Sequence, residues 1–113
     1  VSITRIQPGA RMSQAVVHGG IAYLAGQVAA GADVVEQSRA ALAQVDALLE
    51  AAGTDKSKLL TATIYLADIA TFGDMNSVWD EWVDGENPPA RATVEAKLAT
   101  PEFFVEFQVT AAI

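Results

Sequence analysis

The sequence predicts an α+β domain, a β-sheet with two helices on one face, in the order β-β-β-α-β-α-β-β. Three observations predict it. Leu59 to Ala67 alternates, with Ala62, Ile64 and Leu66 on one side and Thr61, Thr63 and Tyr65 on the other, the period of a half-buried strand. Leu42, Val45 and Leu49 recur at helical spacing, as do Phe72, Met75, Trp79 and Trp82. Two further alternating runs, Arg91 to Leu98 and Phe103 to Ile113, close the chain.

Each element follows from local chemistry. Ser2 to Ile6 reads as a short strand ended by Pro8-Gly9. Ser13 to Val17 and Ile21 to Leu24 flank His18-Gly19-Gly20, a hairpin signal because glycine accepts the positive φ of tight turns. Asp33, with Glu36 three residues on, has the spacing of a capping box for the first helix, which Gly53 ends. Thr71 and Asp74 offer the same spacing for the second helix, and the rigid Asp84 to Pro89 loop follows it. The last two runs, joined by Ala99 to Glu102, read as a hairpin. Its helix-free face would then carry Arg91, Thr93, Glu95, Lys97, Glu106 and Gln108.

A chain of 113 residues suits one domain, taken here as 1–113, with no repeat or linker. Half of its residues are apolar, which suits a core or a subunit interface. No cysteine and a single histidine argue against disulfides, a thiolate nucleophile and a metal site. Fourteen acidic against seven basic residues give a net charge of −7, and no basic stripe appears, so nucleic acid is not the expected partner. No apolar run has the length of a membrane span, so no membrane partner is expected and the chain reads as cytoplasmic.

Among residues that can carry chemistry, Arg91 stands out. It follows Pro-Pro-Ala at a strand start, and a guanidinium grips a carboxylate with two parallel bonds. Taken alone, an arginine is more often a surface ion-pair partner. His18 in its turn reads as idle, and Trp79 and Trp82 as core. Glu95 and Glu106 form either a carboxylate pair or, with Lys97, an ion-pair network. The glycines match no phosphate-binding fingerprint.

Four stretches carry a likeness to a known family: Tyr23-Leu24-Ala25-Gly26-Gln27, Ala51-Ala52-Gly53, Asp74-Met75-Asn76 with Trp79, and Pro89 to Glu95, together with the closing Val105-Glu106-Phe107. In order and spacing they resemble the RidA (YjgF-type) reactive-intermediate deaminases across nearly the whole chain. The resemblance implies a chorismate-mutase-like fold of the bacillus type, assembled as a homotrimer with clefts between subunits. It implies hydrolysis of 2-imino or enamine acids to 2-oxo acids and ammonia, with no cofactor. Arg91, the arginine of Pro-Ala-Arg, would hold the substrate carboxylate.

The departures from the family pattern shape the expected site. Gln108 stands where deaminating members carry a final-strand glutamate; an amide can hold a water but not take its proton. Met12 replaces a tyrosine, Ala25 a serine, and Thr93 a smaller residue. The expected site is therefore Arg91 and Gln108 as catalytic groups, lined by Thr93, Ala92, Met12 and Gln27, with no metal. Its reduced polarity predicts poor turnover of short-chain imines. The alternatives are a non-catalytic binder or sensor of small carboxylates and a chaperone-like structural trimer. The charge fits poorly with the nuclease role reported for some relatives.

Overall fold

The computed structural model describes residues 2–113. Its strands are β1 (Thr4–Pro8), β2 (Ser13–His18), β3 (Ile21–Leu24), β4 (Leu59–Leu66), β5 (Ala90–Glu95) and β6 (Val105–Ala112). Helix α1 (Val34–Ala51) lies between β3 and β4, and α2 (Phe72–Trp82) between β4 and β5. The six strands form one sheet in the order β1-β2-β3-β6-β4-β5, antiparallel except for the β4–β5 pair.

The core forms where the helices meet the sheet. Val34, Gln37, Ser38, Ala41, Leu42, Val45, Leu48 and Leu49 make one buried stripe along α1, the spacing an amphipathic helix needs. From β4 and β6, the paired Ala62/Val109, Ile64/Phe107 and Leu66/Val105 present their side chains to that stripe. Trp79 of α2 stacks on Phe107, the rings 6.3 Å apart and nearly parallel. The shortest dimension of the molecule is 19 Å, enough for one sheet and one layer of helices, each about 10 Å across. Among the described residues no second layer covers the opposite face of the sheet.

Local chemistry sets the turns. Gly19 and Gly20 both have positive φ, 61° and 78°, which a two-residue β2–β3 turn requires. Asp33 caps α1 by accepting from the Glu36 amide, and Glu36 reaches back to the Ala32 amide, 2.7 Å away. The start of α2 differs from expectation. Asp68 caps a preceding turn of 3-10 helix, Ile69–Thr71, and Thr71 makes no side-chain cap bond. The first strand runs from Thr4 to Pro8, two residues later than the pattern indicated.

The largest correction concerns the end of the chain. A chorismate-mutase-like sheet closing on a hairpin of the last two strands was expected. β5 and β6 do not pair, because β4 lies between them. Neither Leu98 with Phe103 nor Thr93 with Gln108 is a rung; β5 ends at Glu95 and β6 begins at Val105. Parallel pairing places Arg91 beside Ala62, Thr93 beside Ile64 and Glu95 beside Leu66. Neighbours on one rung share a face, so Arg91, Thr93 and Glu95 lie on the helix side and Ala90, Ala92 and Val94 on the open side. This reverses the faces expected for that strand.

Candidate functional site

Arg91 sits on the outermost strand, half-buried beneath α2. Its Nη1 donates to Oδ1 of Asn76 at 2.7 Å. Its guanidinium carbon lies 5.8 Å from the ring centre of Phe72 and 5.4 Å from that of Trp79, within cation–π range. These partners are neutral, so they orient the guanidinium without consuming its charge. Its remaining N–H groups keep their capacity for a carboxylate. Phe72, Asn76 and Trp79 come from successive turns of α2, a spacing that places them along one flank.

Thr93 is next along the same side, and its Oγ1 is buried with no hydrogen-bond partner. Glu95 follows, accepting from the Ile69 amide at 3.0 Å. On the open face the rungs across three strands read Ala90–Thr61–Thr110, Ala92–Thr63–Gln108 and Val94–Tyr65–Glu106. Ala92 and Gln108 thus flank Thr63, which sequence reading had not singled out. Thr61 and Thr110 share a hydrogen bond between their hydroxyls at 2.6 Å. Glu95 and Glu106 are on opposite faces with β4 between them, so neither the carboxylate pair nor the ion-pair network with Lys97 joins them.

The 25–31 loop crosses from β3 onto the β6 strand. Gln27 bridges Phe107 through both backbone groups, at 2.7 and 3.0 Å. Its side-chain amide donates to Oε1 of Gln14 and to the Ala25 carbonyl. The side chain is nearly buried, and its amide hydrogens are committed to holding the loop. Gly26 lies directly against Glu106: a Cβ there would come within 2.7 Å of its carboxyl carbon. Gln37, which the helical pattern did not mark, anchors the other end of the loop. It is fully buried, donates to the carbonyls of Gly31 and Glu102, and accepts from the Phe104 amide. A buried amide with a complete set of partners leaves no periodic signal in a sequence.

Met12 is half-exposed in the β1–β2 loop, two residues before Gln14. It lies at the β1–β2 end of the strand order, whereas Arg91 lies on the opposite edge. Within one chain, therefore, Arg91 and Thr93 share the helix side, Ala92 and Gln108 share the open side, and Met12 joins neither group. Among the described residues no cluster of three or more acidic or histidine side chains could hold a metal ion. No helix of the described chain is long and apolar enough to cross a membrane.

The profile of the endoribonuclease L-PSP family matches residues 2–113. A RutC family protein from Haemophilus ducreyi is 46% identical, the match covering 98% of this chain and 97% of the relative. The crystal structure of a YjgF-family protein from Neisseria meningitidis superimposes with a TM-score of 0.97 at 43% identity, covering 98% of this chain and 94% of that one. The chain belongs to the RidA/YjgF family. A conserved Rid family protein from Yersinia pestis, of unknown function, matches with a TM-score of 0.92 at 28% identity over 99% of this chain and all of that one. The fold is accordingly the one seen in RidA/YjgF structures, and this replaces the chorismate-mutase-like class expected from the sequence.

Proposed function

We propose that this RidA/YjgF protein hydrolyses reactive 2-imino and enamine acids to 2-oxo acids and ammonia, with Arg91 binding the substrate carboxylate. The observation that carries this reading is the clamp on Arg91. A permanently charged group is oriented by an amide and two rings and keeps donors for a bidentate partner. A protonated imine is already electrophilic, so fixing its carboxylate and bringing a water to the adjacent carbon supplies much of the catalysis. Family membership supports a deaminase-type hydrolase over a purely structural role.

Arg91 and Gln108 lie on opposite faces of one sheet, so a small substrate touching both takes them from different copies. This favours the trimer that the resemblance implies, with Thr93, Ala92, Met12 and Gln27 lining clefts between subunits. The open face supplies apolar surface for such packing, with Tyr23 and Val94 both more than 40% exposed. Met12 and Ala25 leave the cleft less polar, which favours substrates longer than the shortest imines.

Gln108 gives a second reading some weight. An amide cannot accept a proton from water, which suits a carboxylate binder without turnover. A ribonuclease role, named in the matching profile, is disfavoured by the net charge of −7, since RNA binding draws on basic surface. The deciding test is ammonia release from freshly generated 2-imino acids of several chain lengths. Release above the spontaneous rate, rising with chain length, is expected. A folded protein that accelerates none of them would favour the binder.

A further inference from the structure

Four glutamines meet in a cavity of about 310 Å³ against α1, lined by Gln7, Gln14, Gln27, Gln44, Ala47 and Leu48. The amides come from four separate stretches of chain: β1, β2, the 25–31 loop and α1. Gln27 opposes the core residue Phe107 and so lies on the helix side, only 6% exposed. Gln7 reaches the cavity through strained backbone. Ile6 opposes the buried Ala15, so simple alternation would send Gln7 to the open face. Instead its φ is 49°, the one positive value among the described non-glycine residues, although a residue before proline ordinarily stays extended. Such backbone persists only where its surroundings hold it, and it gathers at ligand sites. The hydrogen bonding leaves the cavity a definite polarity. Nε2 of Gln27 donates to Oε1 of Gln14 at 3.1 Å and to the Ala25 carbonyl at 3.0 Å. Gln27 is left with its carbonyl oxygen as an acceptor, and Gln14 with its amide hydrogens as donors. Gln7 and Gln44 add one amide each, and Ala47 and Leu48 form a short aliphatic wall. None of the six lining residues titrates, so the cavity offers a charged ligand no counter-ion.

We infer that this cavity is a binding site for a small, uncharged primary carboxamide carrying a short aliphatic chain. A carboxamide presents N–H donors and a carbonyl acceptor on one planar group. That set complements the acceptor of Gln27 and the donors of Gln14. A carboxylate lacks the hydrogens that the Gln27 oxygen takes, and it would lose water with no cation to replace it. An ammonium has no acceptor for the Gln14 donors. The aliphatic chain gains by leaving water against Ala47 and Leu48, and the volume lies at the small end of ligand cavities. An occupant would join α1 and β1 to the loop that Gln27 pins to β6. The inference does not rest on the deaminase reading, because Arg91 is on the edge strand at the opposite end of the sheet order.

The test titrates isobutyramide into the full-length protein and follows the glutamine side-chain amides by NMR. Isobutyrate and isobutylamine serve as charged analogues of similar shape. Isobutyramide should shift the signals of Gln7, Gln14, Gln27 and Gln44 saturably in the millimolar range, as so small a molecule allows. The two charged analogues should leave them in place. Gln44 is exposed on α1, so Gln44→Ala keeps the fold and should weaken binding by about tenfold, the worth of one hydrogen bond. Gln7→Gly should also bind less tightly, yet unfold at a higher denaturant concentration, because glycine accepts left-handed backbone without strain. A Gln7 that served the turn alone would gain the stability and keep the binding. A folded wild type whose four amides stay in place at high-millimolar isobutyramide would overturn the inference. Equal shifts with isobutyrate, or a Gln44→Ala variant that binds as tightly as the wild type, would do the same. Imine turnover enters none of these measurements, so their failure leaves the deaminase reading standing.

Discussion

The amide oxygen of Asn76 holds Nη1 of Arg91 at 2.7 Å, tying the second rung of β5 to the middle of α2. A bond between a charged donor and a neutral acceptor contributes about 1.5–3 kcal/mol. Removing it frees the guanidinium to swing away from a substrate carboxylate. Asn76→Ala should therefore raise KM for 2-imino acids by about tenfold or more with kcat nearly unchanged. Asn76→Asp should keep the contact and still weaken substrate binding, because the added charge competes with the carboxylate for Arg91. Steady-state kinetics on the two variants checks both; a loss confined to kcat would contradict a positioning role.

Thr93 is expected to be a position where stability and function diverge. Its buried Oγ1 has no partner, and an unsatisfied buried hydroxyl costs about 1–3 kcal/mol. Thr93→Val keeps the shape and removes the penalty, so the isolated chain should become more stable in denaturant titration. A destabilised variant would mean that this hydroxyl is satisfied in the assembled protein.

Gln37 predicts the opposite. Gln37→Leu leaves two carbonyls and one amide without their side-chain partner. A loss of about 2–4 kcal/mol is expected from breaking a buried network. Amide hydrogen exchange should quicken first in residues 25–32 and 99–104, the segments this side chain joins.

How far these relationships could be read from the sequence depends on their range. The stripe of α1 and the alternation of 59–66 are local, and both stood out. The pairing of β5 was hidden. A period of two gives the faces of a strand but neither its partner nor which face meets the core. Ala92 and Val94 look like core residues, yet Val94 is 42% exposed on the open face. Arg91 looked like a solvent-facing charge because nothing local announces the rings and amide of α2, 12 to 19 residues away. The Gly26–Glu106 contact was equally invisible, because it joins a loop to a strand about eighty residues later.

The open face leads to a prediction about assembly. Tyr23 and Val94 sit on that face and are 46% and 42% exposed. Burying a charge there without a partner opposes association. Tyr23→Glu and Val94→Asp should each leave a folded chain of lower mass in sedimentation, with imine hydrolysis lost in parallel. A wild type that is monomeric at micromolar concentration would contradict the shared-cleft arrangement.

The most direct test of the whole account is hydrolysis of a 2-imino acid by the wild type and by Arg91→Ala, side by side at matched folding. Losing a half-buried guanidinium that anchors a substrate carboxylate should cost about 2–5 kcal/mol, so kcat/KM should fall by about 30-fold to several thousand-fold. An Arg91→Ala variant that releases ammonia as fast as the wild type would contradict the assignment of Arg91 as the carboxylate anchor.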